Sequence, residues 1–264
     1  MADKIPVRNP SEIAKLRKAG EVSARILMEL MPLVKPGVTT GEIDRYAAEL
    51  FAREKCGNAF FGYCGYPGQL CISVNEEVVH GIGGSRVLRE GDIVSLDAGA
   101  IVDGWYGDNA MTVPVGKVSE DAARLLAVTE EALFRAIEQA RQGNSLADVC
   151  GAVEDFVKPF GFGIVREYVG HGVGRHLHEE PQIPNYRPHY PLPRLKRGMI
   201  LAIEPMITLG SYKVKVLKDK WTAVTTDGSM AAHFEHTVAV GSHGGDILTE
   251  RPRIALPEQL GITL

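Results

Sequence analysis

The chain has 264 residues, is 45% hydrophobic and 23% charged, and carries 29 basic against 33 acidic side chains, for a formal charge of −4. That balance excludes a disordered chain, a collagen and a coiled coil. It argues against a general polyanion binder while leaving room for a local basic patch.

A chain of this length buries roughly three-quarters of its unfolded surface, so its core needs no disulfide staples. The four cysteines, Cys56, Cys64, Cys71 and Cys150, show no C-x-x-C spacing, which predicts free thiols and a reducing compartment. The segment MADKIPVRNPSE is polar and lacks the apolar run of a secretory leader. No apolar stretch approaches the roughly 20 residues a bilayer-spanning helix needs. The expectation is a cytoplasmic protein with no membrane partner.

In chain order, Asn9-Pro10-Ser11-Glu12 reads as a helix start: a capping Asn, Pro at the first position and Glu three residues after the cap. Ile13, Leu16, Val22, Ile26, Leu27 and Leu30 then recur at helical spacing, and Pro36-Gly37 stops the run. Thr39-Thr40-Gly41-Glu42 opens a second helix to about Arg53. Residues 58–114 alternate short apolar runs with Gly and Asp turns, which predicts strands. Helical periodicity returns at about 118–142 and 145–158, and strands follow from about 163 past 240.

The second helix pair echoes the first. Gly37-Val38-Thr39-Thr40-Gly41-Glu42-Ile43 aligns with Gly143-Asn144-Ser145-Leu146-Ala147-Asp148-Val149, each with a hydroxyl cap followed three residues later by an acid. The prediction is one domain, 1–264, of two similar halves at about 9–115 and 118–250. A site would lie in the cleft between them.

The segment Asp97-Ala-Gly-Ala-Ile-Val-Asp103-Gly104-Trp-Tyr-Gly-Asp108 predicts a hairpin at Asp103-Gly104. A loop of Asp103-Gly104 sets Asp108 opposite Gly99, diagonal to Asp97. A loop of Val102-Asp103 sets the two acids directly opposite. Either register puts two carboxylates on one face, where a cation is needed to offset their repulsion; the alternative is two turn-flanking acids in water. Tyr168-Val-Gly-His171-Gly-Val-Gly-Arg-His176-Leu-His178 places three histidines among three glycines, and imidazole is a common transition-metal ligand. His176 and His178 would share a face if extended, so both need not be functional. Leu201-Ala-Ile-Glu204-Pro and His233-Phe-Glu235-His236 each set a Glu in an apolar strand, which is costly unless the acid is paired or metal-bound. His80 is a further imidazole at a strand end.

Asp97, Asp108, His171, Glu204 and Glu235 together form an oxygen-rich set with one nitrogen. It suits two divalent ions rather than a cysteine-rich structural zinc. Such a pair activates water near neutral pH and polarises a carbonyl.

At this point the sequence resembles the type I methionine aminopeptidases of bacteria. The resemblance runs from about residue 8 to 250, through Gly62-Tyr63-Cys64-Gly65-Tyr66-Pro67, Cys71-Ile72-Ser73-Val74-Asn75-Glu76, Val79-His80-Gly81, Gly91-Asp92-Ile93-Val94, the Asp97/Asp108 segment, Tyr168-Val-Gly-His171-Gly-Val-Gly, Ile203-Glu204-Pro205-Met206 and Phe234-Glu235-His236-Thr237. It implies an α+β pita-bread fold: two pseudo-symmetric halves around a curved antiparallel sheet with helices outside. It also implies removal of the initiator methionine from nascent chains whose second residue is small.

Carried over by position, Asp97 is a ligand of one ion, Asp108 and Glu235 bridge both, and His171 and Glu204 complete the other. Glu204 also passes protons. His178 hydrogen-bonds the scissile carbonyl, and His80 contacts the amide of the second residue. The methionine pocket draws on Tyr63, Tyr66, Cys71 and Trp221. Phe60 and Leu177 stand where the family's pattern leads us to expect a smaller residue and an aromatic one. The resemblance is to the short bacterial form, with neither an N-terminal zinc-binding extension nor a helical insertion.

Two other readings share the fold: a proline-directed peptidase, whose ligand order is the same, and a non-catalytic binding protein, which would lose ligands. The ligand chemistry allows manganese, iron, cobalt or zinc. Lys213, Lys215, Lys218 and Lys220 crowd an expected hairpin; they form either a solvated loop or a contact with ribosomal RNA. A monomer is expected.

Overall fold

The computed structural model describes residues 5–264. Helix α1 spans Pro10–Leu30 and α2 Thr40–Glu54. Strands β1 (Gly57–Asn58), β2 (Cys71–Val74), β3 (Glu77–Val79), β4 (Ile93–Val102) and β5 (Trp105–Pro114) follow. Helices α3 (Glu120–Gln139) and α4 (Leu146–Val157) open the second half of the chain. Then come β6 (Gly163–Ile164), β7 (Gly170–Gly172), β8 (Glu179–Ile183), β9 (Ile200–Ile203), β10 (Met206–Thr208), β11 (Val214–Val216), β12 (Ala223–Thr225), β13 (Ala231–His233), β14 (Glu235–Val240), β15 (Gly245–Ile247) and the short α5 (Pro257–Leu260). Among the described residues no helix is long and apolar enough to cross a membrane.

The helix starts are set by local chemistry. The Asn9 side chain accepts from the Glu12 N–H at 3.0 Å while the Asn9 N–H donates back to Glu12 at 2.9 Å. That reciprocal pair satisfies two amides the helix cannot. Thr39 with Glu42, and Ser145 with Asp148, repeat the device at the starts of α2 and α4. The echo read in the sequence thus has one physical cause in both halves. Each cap residue also makes an isolated antiparallel bridge to a downstream segment, Thr39 to Val87 and Ser145 to Arg194.

One nine-stranded sheet runs β1-β4-β5-β14-β9-β7-β8, with β2 added on β4 and β15 on β14; every pairing in it is antiparallel. Two three-stranded sheets, β13-β10-β6 and β11-β12-β3, flank it. The helices cover the outside, and one apolar cluster reaches from Val22 to Ala255, taking in Leu96 and Met111 of the β4–β5 hairpin and Leu201 and Val238 of the paired strands β9 and β14. This is the pita-bread arrangement of the α+β class.

The β4–β5 hairpin settles the register left open by the sequence. Val102 pairs with Trp105, so the loop is Asp103-Gly104, with φ of 52° and 73°. Positive φ at both positions gives the turn whose twist matches the strands. Asp108 therefore faces Gly99 and lies diagonal to Asp97; the directly opposed register does not occur.

Behind that hairpin α1 lies almost backbone to backbone on β5. A Cβ on Gly107 would come within 2.4 Å of the Gly20 nitrogen, so a side chain there must push α1 off the sheet. Gly107→Ala is expected to destabilise the protein by about 1–3 kcal/mol, the usual cost of overpacking. At about 2–4 °C per kcal/mol for a domain of this size, calorimetry should show a melting temperature several degrees lower. An unchanged value would contradict the close approach.

Candidate active site

The strand register alone places the predicted acids and the first histidine on one face. Side chains alternate faces along a strand, and directly paired residues share a face. Asp97 pairs with Ala110, and Ala110 pairs with Glu235; Asp108 is two residues from Ala110. His171 pairs with Ala202, two residues before Glu204. Extending the β9–β14 register by one step sets Glu204 across from Glu235. Glu204 itself is not inside a strand as expected. It sits in the break between β9 and β10, where Pro205 removes a ladder donor, while Glu235 is the first residue of β14.

Asp108, His171 and Glu235 offer ligand atoms that all lie within 4.8 Å of one another. His171 Nε2 is 3.8 Å from Asp108 Oδ2 and 3.5 Å from Glu204 Oε1. Asp97 completes the cluster across β4, beside Cys71. One oxygen each of Asp97, Asp108 and Glu235 is buried with no hydrogen-bond partner.

Unit charges about 4 Å apart repel by about 4 kcal/mol even at an effective dielectric near 20, so four such acids cannot all ionise unaided. Burial, and then the neighbouring carboxylates, hold Asp97, Glu204 and Glu235 well above the usual carboxylate range. Burial pushes Asp108 up to about 7. Buried His171 is pushed down to about 3, so it is a neutral imidazole with a free lone pair. Its Nδ1 faces the Gly172 carbonyl at 2.9 Å, which puts the proton there and turns Nε2 toward the acids. Unpartnered carboxylate oxygens around one neutral imidazole nitrogen fit divalent cations.

The cluster forms one end of a cavity of ≈ 250 Å³. Phe60, Tyr66, Cys71 and Leu177 pack together as an apolar group that Trp221 joins. The Tyr66 and Trp221 rings meet edge-on at 5.1 Å. Tyr66 is fixed by its hydroxyl, which donates to the Gly81 carbonyl at 2.7 Å. Tyr63, at 39% exposure, stands at the rim. All six pocket residues named from the resemblance line this cavity.

His80 also lines it, its ring edge-on to Tyr168 at 5.3 Å; burial pushes it down to about 4. His178 lies 4.4 Å from His171 between ring centroids, and burial lowers its pKa too. The Tyr63 hydroxyl and His178 Nδ1 are 2.8 Å apart. His176 is exposed and lies outside this cavity; its N–H bonds Glu179.

Sequence reasoning singled out Glu235 in its segment but not His233. The two are alternate residues, and His233 Nε2 lies 3.3 Å from Glu204 Oε2, buried and lacking hydrogen-bond geometry to any partner. The i, i+2 spacing was the available signal.

Lys213, Lys215, Lys218 and Lys220 are all exposed on or beside the β11–β12 hairpin, and none of them lines the cavity. The four cysteines are free thiols.

The sequence profile of metallopeptidase family M24 matches residues 14–242. Methionine aminopeptidase 1 of Bacillus subtilis is 50% identical over 242 residues, covering 92% of this chain and 98% of that protein. The methionine aminopeptidase of Escherichia coli K12 is 41% identical over 255 residues, covering 96% and 97%. The crystal structure of the Thermotoga maritima methionine aminopeptidase superposes with a TM-score of 0.91 at 46% identity, covering 94% of this chain and all of the other. A prolidase from Pyrococcus furiosus, at 23% identity and a TM-score of 0.75, shares the fold. The acid-and-imidazole cluster and these likenesses converge: the chain belongs to metallopeptidase family M24 and is of the bacterial type I methionine aminopeptidase kind.

Proposed function

We propose that the protein removes the N-terminal methionine from nascent polypeptides whose second residue is small. The observation that carries this is the buried cluster on one sheet face, with unpartnered oxygens on Asp97, Asp108 and Glu235, opening onto an apolar slot. Metal dependence is the family's. We assign two divalent ions, among manganese, iron, cobalt and zinc, to Asp97, Asp108, His171, Glu204 and Glu235. When bound, they would supply an activated water near neutral pH and Lewis acidity toward the scissile carbonyl.

The chain's own residues do the rest. Phe60, Tyr63, Tyr66, Cys71, Leu177 and Trp221 take the methionine side chain, a flexible thioether that packs well against aromatic rings and a soft sulfur. The Tyr63 hydroxyl donates to His178 Nδ1, which leaves the proton on Nε2 to hydrogen-bond the carbonyl as negative charge develops on it. His80, neutral, contacts the amide of the second residue and supports departure of its nitrogen. Glu204 takes the proton of the attacking water and passes it to the leaving amine. Burial keeps His80 and His171 uncharged and lowers the pKa of the more exposed His178, so they act as ligand or donors without adding charge to the site.

We read the chain as one unit, with halves at about 9–115 and 118–250, acting as a monomer. Its free thiols support a cytoplasmic setting. The lysine hairpin is read as a ribosome contact, supported by its four exposed charges; salt-dependent co-sedimentation of wild type against a quadruple Lys→Glu variant tests it.

Chelation should abolish release of methionine from Met-Ala-Xaa peptides, and Mn²⁺ should restore it. Activity unchanged in chelator, or faster cleavage of Xaa-Pro peptides, would overturn the assignment. His178→Ala is expected to lower kcat by about 10²–10³, the cost of losing one oxyanion donor, while the dissociation constant of a methionine-like inhibitor stays within about threefold. An unaltered kcat would remove His178 from the chemistry.

Metal uptake should also depend on pH. Folding raises the four carboxyl pKa values above their unfolded ones, so the contribution of these acids to the stability of the metal-free protein is fullest below about pH 4. It loses that contribution as pH rises through about 7, where Asp108 ionises. Metal must displace those protons, so Mn²⁺ affinity should climb from pH 6 to 8. Calorimetry in buffers of different ionisation enthalpy should show proton release, and a pH-independent affinity with none would contradict the geometry.

A further inference from the structure

One fully buried ion pair has no part in the chemistry above. Arg251 and Glu130 have side chains with 0% exposure, and their charged atoms approach to 3.5 Å. Glu130, on α3, accepts the N–H groups of Ile254 and Ala255 at 3.1 and 3.0 Å and faces Arg253. It therefore ties the C-terminal segment to the helix layer. Arg251 carries that anchorage to the sheet: its Nη2 donates to the Ala110 carbonyl at 2.9 Å.

Ala110 occupies a particular place. It is the residue paired with Asp97 across β4 and with Glu235 across β14, and it is two residues from Asp108. The β5–β14 pairing consists of only Glu235–Ala110 and His236–Asn109, because the chain breaks from β14 at Phe234. Ala110 is thus the last paired residue of that ladder before the break, and the guanidinium adds a hydrogen bond to its carbonyl. On the same helix-facing side, the Arg251 Nε, both side-chain polar atoms of Asn109 and His236 Nε2 are buried without partners. Two hydroxyls tie the same strands from either side, Thr112 to His233 and Thr237 to Asp108, and Arg251 braces the residue between them.

We propose that Arg251, anchored by Glu130, is a positioning residue for the metal site. From behind the sheet it holds the β5–β14 junction in the register that brings Asp97, Asp108 and Glu235 together. Arg fits the task because its planar fork reaches a carbonyl and a carboxylate at once and stays charged when buried. This inference rests on the metal assignment of those three acids, so its test has one arm that needs no metal.

Arg251→Met alone leaves Glu130 buried and unpaired, which would confuse positioning with stability. The informative variant is the double change Arg251→Met with Glu130→Gln, which removes both charges, though Gln keeps an acceptor for only one of the Ile254 and Ala255 N–H groups. Its melting temperature falls for that reason, so exchange is compared with the Glu130→Gln single variant at a temperature where both are folded. Hydrogen exchange of the metal-free full chain should then quicken at residues 108–112 and 233–237 while α1 and α2 keep their protection. Calorimetric titration with Mn²⁺ should show affinity about 10–100-fold weaker, the range lost when a group behind a ligand is removed. Arg251→Lys, which keeps one donor, should recover part of both.

Unchanged exchange at those strands would overturn the brace. Faster exchange with wild-type Mn²⁺ affinity would overturn its relevance to the site. If wild type itself bound no Mn²⁺, the metal assignment would fail, and the exchange arm would still decide whether Arg251 holds the junction.

Discussion

Four carboxylates cannot share one buried pocket unless something positive joins them, and the architecture of this protein follows from that constraint. The acids are brought together by strand register, which leaves each side chain one possible face. Oxygens of three of them are left without a hydrogen-bond partner. A fold assembled for stability alone would not keep that arrangement, because each orphaned polar group costs on the order of 1–3 kcal/mol, more if charged. The cost is local and the compensation must come from a ligand. The rest of the molecule, a continuous apolar core under a curved sheet, is rigid enough to hold the acids in place until one arrives.

The two-fold echo in the chain gives the same constraint a simple construction. Each half contributes a helix pair whose second helix opens with a capping box, and each contributes a strand that begins after a positive-φ glycine. Of the residues proposed as ligands, Asp97 and Asp108 come from one half, and His171, Glu204 and Glu235 from the other. The site forms where the halves meet in a common sheet, so its geometry reports on the packing of the whole chain. The apolar slot is built differently: Phe60, Tyr63 and Tyr66 come from a loop, and its far wall comes from Leu177 and Trp221 in loops of the second half. Loops on a rigid scaffold are where specificity can vary without disturbing the chemistry.

Much of this was legible in the residues. The capping boxes, the hairpin at Asp103-Gly104 and the acids in apolar surroundings are local signals, and local signals survive translation into structure. The choice between two hairpin registers was not legible, since it depends on Val102 pairing with Trp105, a packing outcome. The expectation that Glu204 lies inside a strand failed because Pro205 ends the ladder there. His233 was passed over because its i, i+2 spacing from Glu235 suggests a shared strand face but does not show what that face meets, and the chain breaks between the two at Phe234. Its distance to Glu204 is a product of the β10–β13 pairing. The role of Ala110 was invisible for a plainer reason: it acts through its backbone carbonyl, which every residue has.

On the reading proposed above, these five side chains form a metal nest and not a proton-sharing acid cluster. Crystals soaked in Mn²⁺ and measured at the manganese absorption edge test it most directly. The account predicts two anomalous peaks lying among Asp97, Asp108, His171, Glu204 and Glu235. Anomalous density absent from that cluster, or confined to surface acids, would contradict it.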